Sequence, residues 1–186
     1  MKRNNKQIKA QAEQYLNEKH RLRDENGRII IDMTVNDDSN FLSPFSGRSA
    51  PVICEDVAQF MENSTFSVPP REELVLRIHS NCIDDEEKKN YSVGIKEYYA
   101  EKYITAKKEL RINRMIIAVL LLAGILTLAI SFQIENHIWA EVIDIAAWVF
   151  LWEAVDIGAF QNKNLRRRRT RYLRYMVMDI EFLELN

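Results

Sequence analysis

Four carboxylates, Glu141, Asp144, Glu153 and Asp156, lie within the apolar stretch IWAEVIDIAAWVFLWEAVDIGAF at residues 138–160. Acids in such surroundings are costly when ionised. The chemistry open to them is to carry a proton, to pass a cation, or to pair with a basic side chain at the edge of a bilayer. At ~100° per residue they occupy, together with Trp148 and Trp152, about half of a helix circumference. The other half holds Ile143, Ala147, Phe150, Ala154, Ile157 and Gly158. It is apolar, and its small residues Ala154 and Gly158, four apart, permit close helix approach in lipid.

Depth separates these acids. In an antiparallel hairpin turning near Asn136, Asp156 comes level with about Ile116, so Arg114 is close enough to form an ion pair with it. Glu153 lies ~4.5 Å deeper at 1.5 Å per residue. An ionised carboxylate at the centre of a span costs about 2.5 to 3.5 kcal/mol, so Glu153 needs a partner, a proton or water. Glu141 and Asp144 lie toward the other end, within reach of headgroup water. Two readings follow: interfacial pairing with oligomer contacts, which is preferred, and an ion or proton pathway along Glu153, Asp156, Asp144 and Glu141.

The run RRRRTRYLR begins at Arg166. Arg166, Arg167, Arg168 and Arg169 abut the apolar stretch and suit anionic headgroups, at about 1 kcal/mol per charge near a surface. No nucleic-acid motif accompanies them, and none is expected as a partner. Other chemistry has no visible constellation. The three histidines, His20, His79 and His137, lie far apart, and CxxC, HExxH and phosphate-cradling glycine loops are absent. No metal or cofactor is expected. Cys82 beside His79 lacks an oriented base and an oxyanion site, which argues against thiol catalysis. DDEEKK at Asp84 suits the start of a helix rather than a calcium loop, whose central glycine is missing.

The elements that must position these groups follow from hydropathy. The 186-residue chain is 47% hydrophobic with a net charge of -1. Its mean hydropathy of -0.29 conceals one concentrated apolar region. MIIAVLLLAGILTLAISFQI, residues 115–134, holds twenty residues without charge. That is the length needed to cross a hydrocarbon core of ~30 Å. Lys107, Lys108, Arg111 and Arg114 precede it, Lys163 and the arginine run follow residue 160, and the connection between holds neither Lys nor Arg. The positive-inside bias then places both flanks in the cytoplasm and asks for two crossings, at about residues 115–134 and 138–160 within a hairpin at 111–162.

Residues 1–110 read as a cytoplasmic α+β domain. A first helix covers about Asn4 to Arg23, with Ile8, Ala12, Tyr15 and Leu16 at helical spacing, and DENG turns the chain. A strand follows with Ile29, Ile31, Met33 and Val35 on one face and Asp32 and Thr34 on the other. A short helix from about Cys54 to Asn63 turns Val57, Phe60 and Met61 inward. A second strand presents Leu74, Leu76 and Ile78 opposite Arg77 and His79. From Asp84 a long helix, lined by Tyr91, Ile95, Tyr98, Tyr99 and Tyr103, runs into the membrane. Residues 163–186 read as a basic juxtamembrane segment and an amphipathic C-terminal helix with the stripe Tyr172, Met176, Ile180 and Leu183. Two strands make a marginal sheet, which argues for packing on the domain's own helices or for pairing between subunits.

The fold class expected is thus an α+β cytoplasmic domain with an α-helical two-span transmembrane hairpin, in the plasma membrane with both termini cytoplasmic. The function expected is that of a non-enzymatic, homo-oligomeric scaffold or signal-transmitting element. The alternative is a small oligomeric channel or proton pathway lined by the acids of the second span.

Overall fold

The computed structural model describes residues 7–11, 23–47, 50–69 and 71–185. Its elements are β1 (Ile29–Thr34), α1 (Glu55–Ser64), β2 (Leu74–His79), α2 (Asp85–Ser131), α3 (His137–Asp156), a π-helical turn (Ile157–Gln161), α4 (Asn162–Val177) and β3 (Asp179–Leu183). Of the expected first helix, residues 7–11 are helical; Ala12, Tyr15 and Leu16 lie outside the described residues, as does His20.

The sheet has three strands in the order β1-β2-β3, and both pairings are parallel. Parallel neighbours cannot be joined by a tight turn, so each connection must cross over. The first crossover holds α1. The second holds everything from α2 to α4, so the long apolar helices are an insertion between two adjacent strands.

This corrects two expectations. The sheet has a third strand, and the C-terminal helix stops at Val177. Met178 adopts an extended backbone, with ψ of 151°, and the chain continues as β3. Ile180 therefore pairs with Leu76, and Leu183 with His79, instead of continuing a helical stripe. Because β3 comes from the same chain, the sheet needs no strand from a second subunit.

Alternation decides which face is buried. Ile29, Ile31 and Met33, then Leu74, Leu76 and Ile78, are buried with Ala58 and Met61 of α1, Tyr91, Ile95 and Tyr99 of α2, and Tyr175 of α4. Phe60 differs from expectation and is 43% exposed. Ala58 and Met61, three apart, hold the inner side of α1, and Phe60 faces away from it. The opposite face of the sheet is polar except at Ile30 and the fully buried Val75 beside it. Arg77 Nε contacts Glu181 Oε2 at 2.7 Å, His79 Nε2 contacts Asp32 Oδ1 at 2.7 Å, and Arg28 pairs with both Asp24 and Asp179. Half-exposed pairs of this kind add little strength and mainly fix which strands lie side by side. Before β1, Gly27 takes a φ of +81°, the left-handed turn conformation that glycine adopts most readily.

α2 is one unbroken helix of 47 residues, roughly 70 Å long at 1.5 Å per residue. Its start is a capping box: the Asp84 side chain accepts from the Glu87 N–H, and the Glu87 side chain from the Asp84 N–H. Gly94 does not interrupt it. A Cβ there would stand 3.1 Å from the Pro51 carbonyl oxygen, so glycine lets the loop lie directly on the helix. α3, the π turn and α4 share helical backbone through their junctions and form a second rod antiparallel to the first.

Candidate functional site

Two joints hold the rods together, one between the apolar helices and one inside the globular part. At the apolar joint α3 lays its small residues against α2. Ala147 and Ala154 are buried, and a Cβ on Gly124 would meet Leu151 Cδ2 at 2.9 Å and the Ala147 carbonyl at 3.4 Å. Gly158 faces Ile117. The small-residue side of 138–160 therefore meets α2, at Gly124.

The rest of the hairpin surface is apolar and uncovered. Only 11% of the most apolar 18-residue window of α2 is buried, and this is the one described helix long and apolar enough to cross a membrane. Trp148 and Trp152 of α3 are 65% and 69% exposed. Apolar area on this scale marks a surface that another apolar phase or a partner covers.

The acids of α3 occupy that uncovered side. Glu141 is exposed and contacts His137 Nε2 at 3.2 Å, one turn away. Asp144 is half-buried and Glu153 exposed, and neither makes a hydrogen bond or ion pair to any described residue. Asp156 accepts a hydrogen bond from Gln161 Nε2 at 3.1 Å.

The expected Arg114–Asp156 ion pair is not formed among the described residues. The reason is helical register. Asn113, not Arg114, enters the seam between the rods, where its Nδ2 donates to Oδ1 of buried Asn162 at 3.0 Å. Arg114 then lies level with about Gln161, more than a turn beyond Asp156, and points to solvent. The π turn at Ile157–Gln161 sits at this same level, and such turns often mark functional positions in helices. Arg166, Arg167 and Arg168 are exposed and Arg169 half-buried; none is ion-paired to a described residue. With Lys107, Lys108, Arg111 and Lys163 they form a basic collar below the apolar helices.

The second joint ties both rods to the sheet. Tyr99 of α2 and Tyr175 of α4 meet with ring centres 4.4 Å apart. The Tyr99 hydroxyl donates to the Ala58 carbonyl at 3.2 Å, and the Tyr175 hydroxyl bonds the Thr65 hydroxyl beyond the end of α1. Lys102 Nζ reaches Glu62 at 3.1 Å and lies over the Tyr98 ring at 4.5 Å. Burial works against the Lys102 ammonium, but Tyr98 and Glu62 outweigh it and hold its pKa above the ordinary value. Burial also pushes the phenols of Tyr99 and Tyr175 up, the neighbouring carboxylate of Glu62 adding to the effect at both. At Tyr91, burial and the hydrogen bond to Asp38 act in the same direction. The tyrosines on α2 serve as packing, but sequence reasoning missed Tyr175. Its signal was spacing: Tyr172, Tyr175 and Met178 lie three apart and share a helical side with the end of α4.

Among the described residues no cluster of three or more His, Cys, Asp or Glu could hold a metal ion. His79 pairs with Asp32, while Cys82 lies 3.1 Å from the Ser80 hydroxyl, an arrangement that holds a turn. Compared with known proteins, the chain matches no family model, no curated protein and no solved structure.

Proposed function

We propose that the chain is a non-enzymatic integral membrane protein of the plasma membrane, in which α2 and α3 cross the bilayer as a hairpin and both termini stay in the cytoplasm. It acts as a homo-oligomeric scaffold or signal-transmitting element linking the α/β domain to the membrane helices. The observation that carries this reading is the position of β3: the strand pairs with β2 yet follows the hairpin in the chain. The helix that leaves the sheet and the helix that returns to it are thereby clamped at the same place. A tilt or slide of one membrane helix against the other displaces the joint at Tyr99 and Tyr175, and with it the edge of the sheet. The uncovered Trp148, Trp152 and Glu153 side supplies the surface on which copies meet.

Labelling of intact cells with a membrane-impermeant maleimide tests the topology. An Ile134→Cys variant should react at the connection between the helices, while native Cys82, exposed in the globular part, should react only after the membrane is permeabilised. Reaction of Cys82 in intact cells would overturn the reading.

A second reading, a proton or cation pathway, is favoured by one observation: Asp144 and Glu153 have no partner among the described residues. Reconstituted protein would then dissipate a proton or cation gradient, and Glu153→Gln would slow that flux. Liposomes that stay sealed with either protein remove this reading and leave the first intact.

A further inference from the structure

At the N-terminal ends of β2 and β3 the structure contains a cavity of about 300 Å³ between the α1–β2 loop and the end of α4. Three arginines, Arg28, Arg71 and Arg174, line it. Arg174 is 9% exposed, although arginine is rarely buried without an anionic partner. Its Nη1 donates to the carbonyls of Pro69 at 2.8 Å and Glu72 at 3.1 Å. Its Nε is buried and has no hydrogen-bond partner among the described residues. No carboxylate of a described residue pairs with it there. The guanidinium edge formed by Nε and Nη2, the one that can grip an oxyanion with two parallel N–H bonds, has no acceptor among the described residues.

Carboxylates also line the cavity, but two are already engaged. Glu72 pairs with Arg23 at 2.9 Å, and Asp179 pairs with Arg28. Glu73 is exposed at the rim, as is Arg71, which makes no ion pair with a described residue. Burial lowers the pKa of Arg174, and the neighbouring charge of Arg171 acts the same way, the direction expected where a countercharge is missing.

We infer that this cavity is a binding site for a phosphoryl group, held by the free edge of Arg174 and by Arg71 at the rim. Planar guanidinium forks match the oxygen spacing of phosphate, and two cations without carboxylate partners among the described residues suit a dianion. Two sources share this chemistry. One is a soluble phosphate or phosphate ester. The other is a phospholipid headgroup, since α4 runs from the hairpin to the N-terminal end of β3, which lies beside that of β2. The site itself does not depend on the membrane reading; only the headgroup source does.

Calorimetric titration of the full chain in neutral detergent with inorganic phosphate, at constant ionic strength, tests the inference. Saturable binding is expected, weakened about tenfold by Arg71→Gln, since one charge-assisted hydrogen bond is worth about that factor. Arg71 is exposed, so this variant should fold. Arg174→Lys keeps the charge but removes the fork and should weaken binding at least as much. If phosphate does not bind in detergent, nanodiscs of phosphatidylcholine with and without phosphatidic acid form the second arm. Thermal stabilisation by phosphatidic acid that Arg71→Gln removes supports the headgroup source. The inference is overturned if neither probe acts, if chloride substitutes for phosphate, or if Arg71→Gln leaves both responses unchanged.

Discussion

The globular part and the apolar hairpin use the same residue types under opposite rules. In the sheet, Ile78 and Leu76 are fully buried, and Asp32, Arg77, His79 and Glu181 on the other face are ion-paired. In the hairpin, Val119 is 66% exposed, the buried positions are the small residues Gly124, Ser131, Ala147 and Ala154 together with Ile157, and most large side chains point outward. Water explains the first pattern, because burying apolar area there is the main stabilising term. It does not explain the second. A pair of helices that meets through its small residues and turns its large apolar ones outward is organised for a surrounding as apolar as itself.

Four perturbations sharpen that contrast, from the largest expected effect to the smallest. Deleting residues 178–186 removes Met178, buried beyond the end of α4, and the whole of β3, and the globular part should lose its cooperative melting transition while the hairpin keeps its helical circular dichroism. Retention of the transition would mean that β1 and β2 suffice. Ile78→Ala should cost about 2 to 5 kcal/mol in chemical denaturation. Val119→Ala, a similar loss of apolar atoms, should stay within about 0.5 kcal/mol in detergent. Equal costs at the two sites would erase the distinction between the regions. Gly124→Val forces bulk into contact with Leu151, and should cost about 1 to 3 kcal/mol of hairpin stability with no change in the globular transition.

The smallest effect near neutral pH is alkaline. Burial raises the phenols of Tyr91, Tyr99 and Tyr175, so their contribution to stability is complete below the unfolded value of ~10 and is lost as pH rises beyond it. Part of the tyrosinate absorbance should therefore appear together with unfolding and not before it. Complete titration of the chain's tyrosines while the fold persists would contradict the packing of the joint.

Local rules made much of this visible in the sequence. Alternation at Ile29–Thr34 and Leu74–His79 gave two strands with the correct faces, and DDEEKK gave the helix start with its cap. The lack of proline and the single tolerated glycine between Asp85 and Ala123 gave the continuous rod. What stayed hidden depends on distant pairing. DIEFL alternates polar and apolar over only its first four residues, and Ile180 and Leu183 also complete a helical stripe from Tyr172. Only the vacant edge of β2, more than a hundred residues away in sequence, selects the strand. At the candidate site the small-residue seam was legible. The register that places Asn113 opposite Asn162 and separates Arg114 from Asp156 was not, because it depends on how two rods settle around a π turn.

The central claim is that α3, despite four acids, lies in lipid beside α2. All three tryptophans, Trp139, Trp148 and Trp152, are on α3, so the intrinsic fluorescence of the unmodified chain reports on that helix alone. In vesicles whose acyl chains carry bromine at mid-depth, emission should be strongly quenched and nearly insensitive to acrylamide in the aqueous phase. Emission that acrylamide quenches freely and bromine leaves untouched would place α3 in water and contradict the two-span account.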